Sequence, residues 1–271
     1  MIQIIDAHCH VFPDKIAEKS KEAVRDFYQL PMYTSGTAVH LKAEQKPFTL
    51  YQQNYQIVKQ IIFTPAVTAH QTESINQFIS ELIQRDNSFI GFGTIHPENK
   101  NFSEILSSFQ ALNLRGLKLH SDFQRFNIDS SDMYPVYEEA ARLNIPILFH
   151  MGDKKQDFSH PRRLARVLKD IPELTVIAAH MGGYAHWLEA FEVLPVSERL
   201  YFDISSTLAF TDSQLLMQFI QKFGTSKFFF GSDFPMWNPV EELKTLLSFQ
   251  LPEQLFSDIL YQNFADFMDI K

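Results

Sequence analysis

The sequence predicts an α/β fold, an eight-stranded parallel β/α barrel of the TIM type. Three observations lead there. The chain has 271 residues, close to the roughly 250 that one such barrel uses. Eight short apolar runs recur along it. Stretches of helical period and charge separate most of them, and that alternation argues for parallel α/β architecture.

The runs are Ile2 to His8, Ile57 to Thr64, Phe89 to Ile95, Gly116 to His120, Pro146 to His150, Leu174 to His180, Leu200 to Ser205 and Lys227 to Gly231. They are bounded mostly by Pro, Gly or polar residues, as buried parallel strands are. Between them, Ser74 to Gln84 places Ile75, Phe78, Ile79, Leu82 and Ile83 on one helical stripe. Pro161 to Lys169 does the same with Leu164, Val167 and Leu168, and its Pro suits a first helical turn. Asp212 to Lys222 carries Leu215, Leu216, Phe219 and Ile220, with Thr211 or Asp212 as the N-cap.

The stretch from Val11 to Tyr55 interrupts the rhythm. A helix is expected from Lys15 to Tyr28, followed by an irregular part rich in Pro, Tyr, Thr and Gly. An insertion after a barrel strand sits at the C-terminal face, over the active site. It is either a lid or a solvated connection. The tail after Pro252 reads as two short helices that close the barrel. Without repeats or linkers, residues 1–271 read as one domain.

Hydrophobic residues make up 45% of the chain, enough for a substantial core, and the 26 Phe residues are read as packing. The net charge is −8 with no basic run, which argues against nucleic acid as a partner. A single cysteine, Cys9, excludes a disulfide framework and a cysteine-rich zinc site. The first residues read as a strand rather than a secretory signal. No apolar run nears the roughly 18 residues that span a bilayer. A cytoplasmic protein is expected, with a small molecule as its substrate.

The chemistry gathers at the ends of the runs. In Asp6-Ala7-His8-Cys9-His10, strand alternation puts Asp6, His8 and His10 on one side and Cys9 on the other. Two imidazoles two residues apart can grip one cation, while Cys9 reads as a buried, inert thiol. The fourth run ends Lys118-Leu119-His120, the fifth Phe149-His150 and the sixth Ala179-His180. The eighth leads through Gly231-Ser232 to Asp233. Barrel enzymes assemble their sites at strand C-termini. One terminal His is more often a hydrogen-bonded core residue, but five such ends on one rim are not explained that way. Three His and one Asp suit zinc and other borderline divalent ions, and such ions bring bound water towards neutral pKa.

The chain resembles the amidohydrolase superfamily, in the branch that includes aminocarboxymuconate-semialdehyde decarboxylase. The likeness runs from Asp6 to Asp233. It rests on Asp-Ala-His-Cys-His at 6 to 10, Arg-Gly-Leu-Lys-Leu-His at 115 to 120, Phe-His-Met-Gly at 149 to 152, Ala-His-Met-Gly-Gly at 179 to 183 and Gly-Ser-Asp-Phe-Pro at 231 to 235. The resemblance implies that His8, His10, His150 and Asp233 hold one divalent ion. Zinc is preferred, with manganese, cobalt or iron also accepted. It implies that Asp233 also takes a proton from the attacking water, and that His180 acts beside it as an acid/base or electrostatic group. Asp6 would orient a ligand or tie down the strand. Two-metal relatives use a carboxylated Lys on the fourth strand, which makes Lys118 a candidate bridge. The favoured reading puts Lys118 and His120 at the substrate instead.

Three functions follow. The first is a metal-dependent hydrolase in which activated water attacks the carbonyl of a small amide, ester or lactone. The second is a non-oxidative decarboxylase, a lyase, of a small aromatic or muconate-type acid, using the same residues. The third is a catalytically silent barrel that only binds a metal or ligand. A homodimer is expected only by analogy, since dimers are common in the family resembled.

Overall fold

The computed structural model describes residues 1–270. Nine strands occur along it: β1 (Ile2–His10), β2 (Phe48–Leu50), β3 (Gln53–Phe63), β4 (Phe89–Thr94), β5 (Gly116–Leu119), β6 (Ile147–Phe149), β7 (Val176–Ala178), β8 (Leu200–Asp203) and β9 (Phe228–Phe229). Eight of them, all but β2, coincide with the eight predicted runs. Helices alternate with them, and the fold class is the β/α barrel. No helix is long and apolar enough to cross a membrane.

The chain divides into two compact units. The first joins Met1–Ile62 to the chain from Ile204 onward, and the second is Phe63–Asp203.

In the second unit, β4 to β8 form a consecutive parallel ladder, with Phe92 opposite Gly116, Leu117 opposite Ile147, Ile147 opposite Val176 and Val176 opposite Leu200. These strands are buried along almost their whole length. Burial on both faces explains why their sequences read as continuous apolar runs. The predicted helices form as Thr72–Arg85 and Pro161–Asp170, each burying its apolar stripe.

Where the strands stop, side chains take over the backbone's hydrogen bonds. Asn76, on the helix Thr72–Arg85, accepts from the Thr94 N–H at 2.7 Å and donates to the Thr94 carbonyl at 3.0 Å. The Gln124 amide donates to the carbonyls of Ala66 and Ile95 and accepts from the His120 N–H. Buried backbone groups must be paired, and a side-chain amide does this without lengthening the sheet.

In the first unit, β1 is buried from Ile4 to Cys9. Its end runs parallel to the segment after β9. Ala7 N–H donates to the Phe230 carbonyl, Cys9 bridges Phe234, and His10 N–H donates to the Phe234 carbonyl. The helix Asp14–Tyr28 forms as expected. Asp212 caps the helix Ser213–Phe223 by accepting from the Leu215 N–H.

The remainder of the 11–55 stretch is more regular than its composition suggests. Ala38–Glu44 is a helix, closed by a capping box between Thr37 and His40. β2 pairs antiparallel with the start of β3 through a turn at Tyr51 and Gln52, both at positive φ. A three-residue strand and a seven-residue helix carry too few periods to be read from sequence. The tail forms an unbroken helical run, Glu253–Ser257, Asp258–Gln262 and Asn263–Met268, with a wide middle turn, instead of two separate helices.

Asn76→Ala should cost about 2–6 kcal/mol, because it strands a buried donor and a buried acceptor at about 1–3 kcal/mol each. Urea unfolding should show the midpoint falling with an unchanged slope.

Candidate metal centre

In the first unit the alternation of β1 delivers His8 and His10 to one point. Asp233 arrives from the loop after β9. Its Oδ1 lies 3.4 Å from His8 Nε2 and 3.4 Å from His10 Nε2. His8 is fully buried, and Asp233 is 8% exposed. The three ligand atoms lie within 4.8 Å of one another. A cation with bonds of about 2.0–2.2 Å to N and O sets its ligand atoms roughly 3 Å apart, so this triad fits one.

The other oxygen of Asp233 is also fixed. Ser206 Oγ donates to Oδ2 at 2.6 Å, and Trp237 Nε1 donates to Ser206 Oγ at 2.8 Å. Ser206 and Asp233 both hold left-handed backbone, at φ 47° and 56°. Non-glycine residues occupy that region at a cost, and it is where functional side chains are often aimed.

Asp6 anchors this arrangement without joining it. Its carboxylate accepts from Ser232 Oγ at 2.5 Å, Ser232 N–H at 2.9 Å and His8 N–H at 3.3 Å. Burial pushes its pKa up to about 6, against the pull of those hydrogen bonds. Cys9 faces away and is buried, and burial raises its thiol well above the usual range. Its burial agrees with the sequence expectation. Glu242, on the helix Pro239–Ser248, is buried, and its Oε2 has no hydrogen-bond partner among the described residues. Burial first, then the charges of Asp233 and Asp6, push it up to about 8.

The second unit holds the other predicted residues. His120 caps the turn Ser121–Gln124, its Nδ1 accepting from the Phe123 N–H. Its ring stacks between Phe123 at 3.8 Å and His150 at 3.9 Å. His150 Nε2 donates to the Gly152 carbonyl at 2.9 Å, since a carbonyl can only accept. His150 Nδ1 is then the acceptor in its 3.0 Å contact with His180 Nε2. Both nitrogens of His150 are thus engaged within this unit. Gly152, at φ 79°, lies so close to Tyr184 that a Cβ would come 2.3 Å from its carbonyl oxygen. Only glycine allows the His150 loop this approach.

His180, at φ 57°, is oriented by its N–H donating to Asp203 Oδ1 and its carbonyl accepting from Trp187 Nε1. Asp122 lies beside His150, 3.7 Å from Nε2. Its Oδ2 accepts from Ser159 Oγ, its Oδ1 is unpartnered among the described residues, and burial pushes it up to about 7. His120, Asp122 and His150 form a second ligand-like group. Lys118 is fully buried, with Nζ 4.6 Å above the Phe63 ring.

The sequence reading therefore identified His8, His10 and Asp233, which come together. It also identified His120, His150 and His180, which form one imidazole cluster. It missed Ser206, Trp237, Glu242 and Asp122. Of these only Asp122 carried a signal, lying two residues from a strand-end His.

A raised carboxyl pKa means the folded state holds protons that the unfolded state has lost, so stability falls with rising pH between the two values. For metal-free protein, wild type should therefore lose stability relative to Glu242→Gln as pH rises from about 4.5 to about 8. Parallel denaturation curves across that range would refute the assignment.

Comparison with known proteins agrees with the barrel fold. An uncharacterised TIM-barrel protein of Bordetella bronchiseptica superposes with TM-score 0.77 at 16% identity, covering 99% of both chains. A dihydroxybenzoic acid decarboxylase of Polaromonas sp. JS666, solved with manganese and the inhibitor 2-nitroresorcinol, gives 0.72 at 16%, covering 100% of this chain and 98% of the other. A Pseudomonas putida protein, named as a candidate 2-pyrone-4,6-dicarboxylic acid hydrolase, gives 0.71 at 13%, covering 99% and 98%. The amidohydrolase family model matches residues 5–267, and the chain belongs to that family.

Proposed function

We propose that this amidohydrolase-family enzyme is a metal-dependent decarboxylase of a small aromatic or muconate-type acid. The observation that carries the reading is the triad His8, His10 and Asp233, largely shielded from solvent, with its 3.4 Å spacings. The preference for decarboxylation over the expected hydrolysis rests on the dihydroxybenzoic acid decarboxylase of the same fold. That relative binds manganese, so manganese stands beside zinc as the candidate ion.

His8, His10 and Asp233 would hold the ion, and the resemblance adds His150 as a further ligand. The ion would supply positive charge to bind and polarise the substrate's oxygens. The chain's own residues do the rest. Ser206 and Trp237 hold the Asp233 carboxylate in one orientation. In decarboxylation the C–C bond breaks, CO2 leaves, and its electron pair stays on the ring carbon, which takes up a proton. Asp233 is assigned that proton transfer, and His180 the stabilisation of charge. His120, with its ring stacked in the imidazole cluster, and Lys118 are assigned to the substrate.

Hydrolysis is the second reading, favoured by the relative named as a candidate pyrone dicarboxylic acid hydrolase. The same residues would then activate water against a lactone carbonyl. Incubating metal-loaded enzyme with a panel of hydroxybenzoates and pyrone lactones separates the two. CO2 release supports the lyase. Ring opening without CO2 supports the hydrolase and overturns the proposal.

His10→Ala and Asp233→Asn should each lose the ion, read by elemental analysis of purified protein, and lose activity with it. His150→Ala should do the same if His150 is a ligand, and unchanged metal content would remove it from the set. His180→Asn should keep the ion while turnover falls by about 10²–10⁴, the usual range for an acid/base group. Loss of an ion in that variant would instead assign His180 to the ligand set.

A further inference from the structure

A third ligand-like cluster lies in the second unit and shares no residue with those given roles above. We propose that His160, His186 and Glu189 form an additional divalent-cation site, suited to zinc. The geometry of the donor atoms carries the proposal.

His160 caps the helix Pro161–Asp170, and His186 precedes the helix Trp187–Val193, whose first turn holds Glu189. The two rings lie 4.8 Å apart. Glu189 Oε2 is 2.9 Å from His160 Nε2 and 3.9 Å from His186 Nδ1. A tetrahedral zinc with bonds near 2.0–2.1 Å sets its ligands about 3.3 Å apart, between these two distances. Small side-chain rotations would equalise them.

The surroundings prepare two of the three ligands. His186 Nε2 donates to the Asp153 carbonyl at 3.0 Å, which leaves the Nδ1 lone pair directed at Glu189. A backbone carbonyl behind the ring is the usual support for a metal-bound histidine. Arg162 pairs with Glu189 Oε1 and leaves Oε2 towards the imidazoles. All three side chains are partly exposed, so an ion and a completing water can reach them.

His160 is the ligand that must adjust. Its Nδ1 accepts from the Arg162 N–H at 3.3 Å, so in the metal-free ring the proton sits on Nε2, facing Glu189. Coordination through Nε2 moves that proton to Nδ1 and gives up the cap. The positive charge of Arg162 also opposes the ion. Both effects make this site weaker than the triad of His8, His10 and Asp233.

The test is a zinc titration of full-length, metal-stripped protein against a chromophoric chelator. Wild type should show a strong and a weaker class of site. His186→Ala removes no helix cap and keeps the fold. It should weaken the second class on the order of tenfold or more, at least what loss of an outer-shell partner costs, and leave the strong class unchanged. His160→Gln should do likewise. A weaker class that persists unaltered in both variants would overturn the proposal. So would a wild-type protein with only one class, and the cluster would then be an ion-pair network alone.

Discussion

The buried carboxylate of Asp6 is the constraint on which the triad depends. It takes three hydrogen bonds, two from Ser232 and one from the backbone of His8. One partner is the backbone of His8, itself a candidate ligand on the first strand, and the other precedes Asp233. The contact spans 226 positions of sequence. It fixes the end of β1 against the loop after β9, and the backbone bonds from Ala7 and His10 continue the same register. Imidazoles and a carboxylate held 3.4 Å apart are useful only if their backbones do not slide. A hydrogen-bonded buried carboxylate prevents sliding more sharply than apolar packing, because a shift leaves its oxygens unpaired.

The same economy recurs at the other strand ends. Asp233, Ser206 and His180 all leave their strands in left-handed backbone. Such a turn redirects a side chain within one residue, where a regular strand would send it along the pleat. The cost is met by neighbouring bonds: Ser206 to Asp233, Trp237 to Ser206, and Asp203 with Trp187 around His180. Rigid aim is what an acid/base or ligand group needs, since small misplacements cost large factors in rate.

Much of this was legible in the sequence, for identifiable reasons. Strand period put His8 and His10 on one side without any knowledge of the fold. Buried parallel strands produced the eight apolar runs, and their ends marked His120, His150 and His180. What escaped depends on contacts across long sequence separations. Ser206 holds Asp233 across 27 positions and Trp237 holds Ser206 across 31, and neither belongs to a periodic pattern. Glu242 sits on an amphipathic helix, where sequence assigns a glutamate to solvent. β2 and the helix Ala38–Glu44 are shorter than the windows that reveal a period. The choice between losing CO2 and adding water was not legible, because both chemistries ask for the same ligands.

The first unit carries an electrostatic imbalance that suits the proposed ion. Asp6, Asp233 and Glu242 are all buried there. The negative charges of Asp233 and Asp6 add to burial in raising Glu242 to about 8, and Asp6 itself rises to about 6. Clustering carboxylates away from water is unfavourable unless something positive joins them. A divalent ion held by the triad, as proposed, would reverse the sign of the local field and draw nearby carboxyls back towards ionisation. Ion binding and the stability of this unit would then be coupled: the acids that make the metal-free unit costly would make an ion-bound one favourable. The unpartnered oxygen of Glu242 reads, in that light, as part of a negative environment suited to a cation.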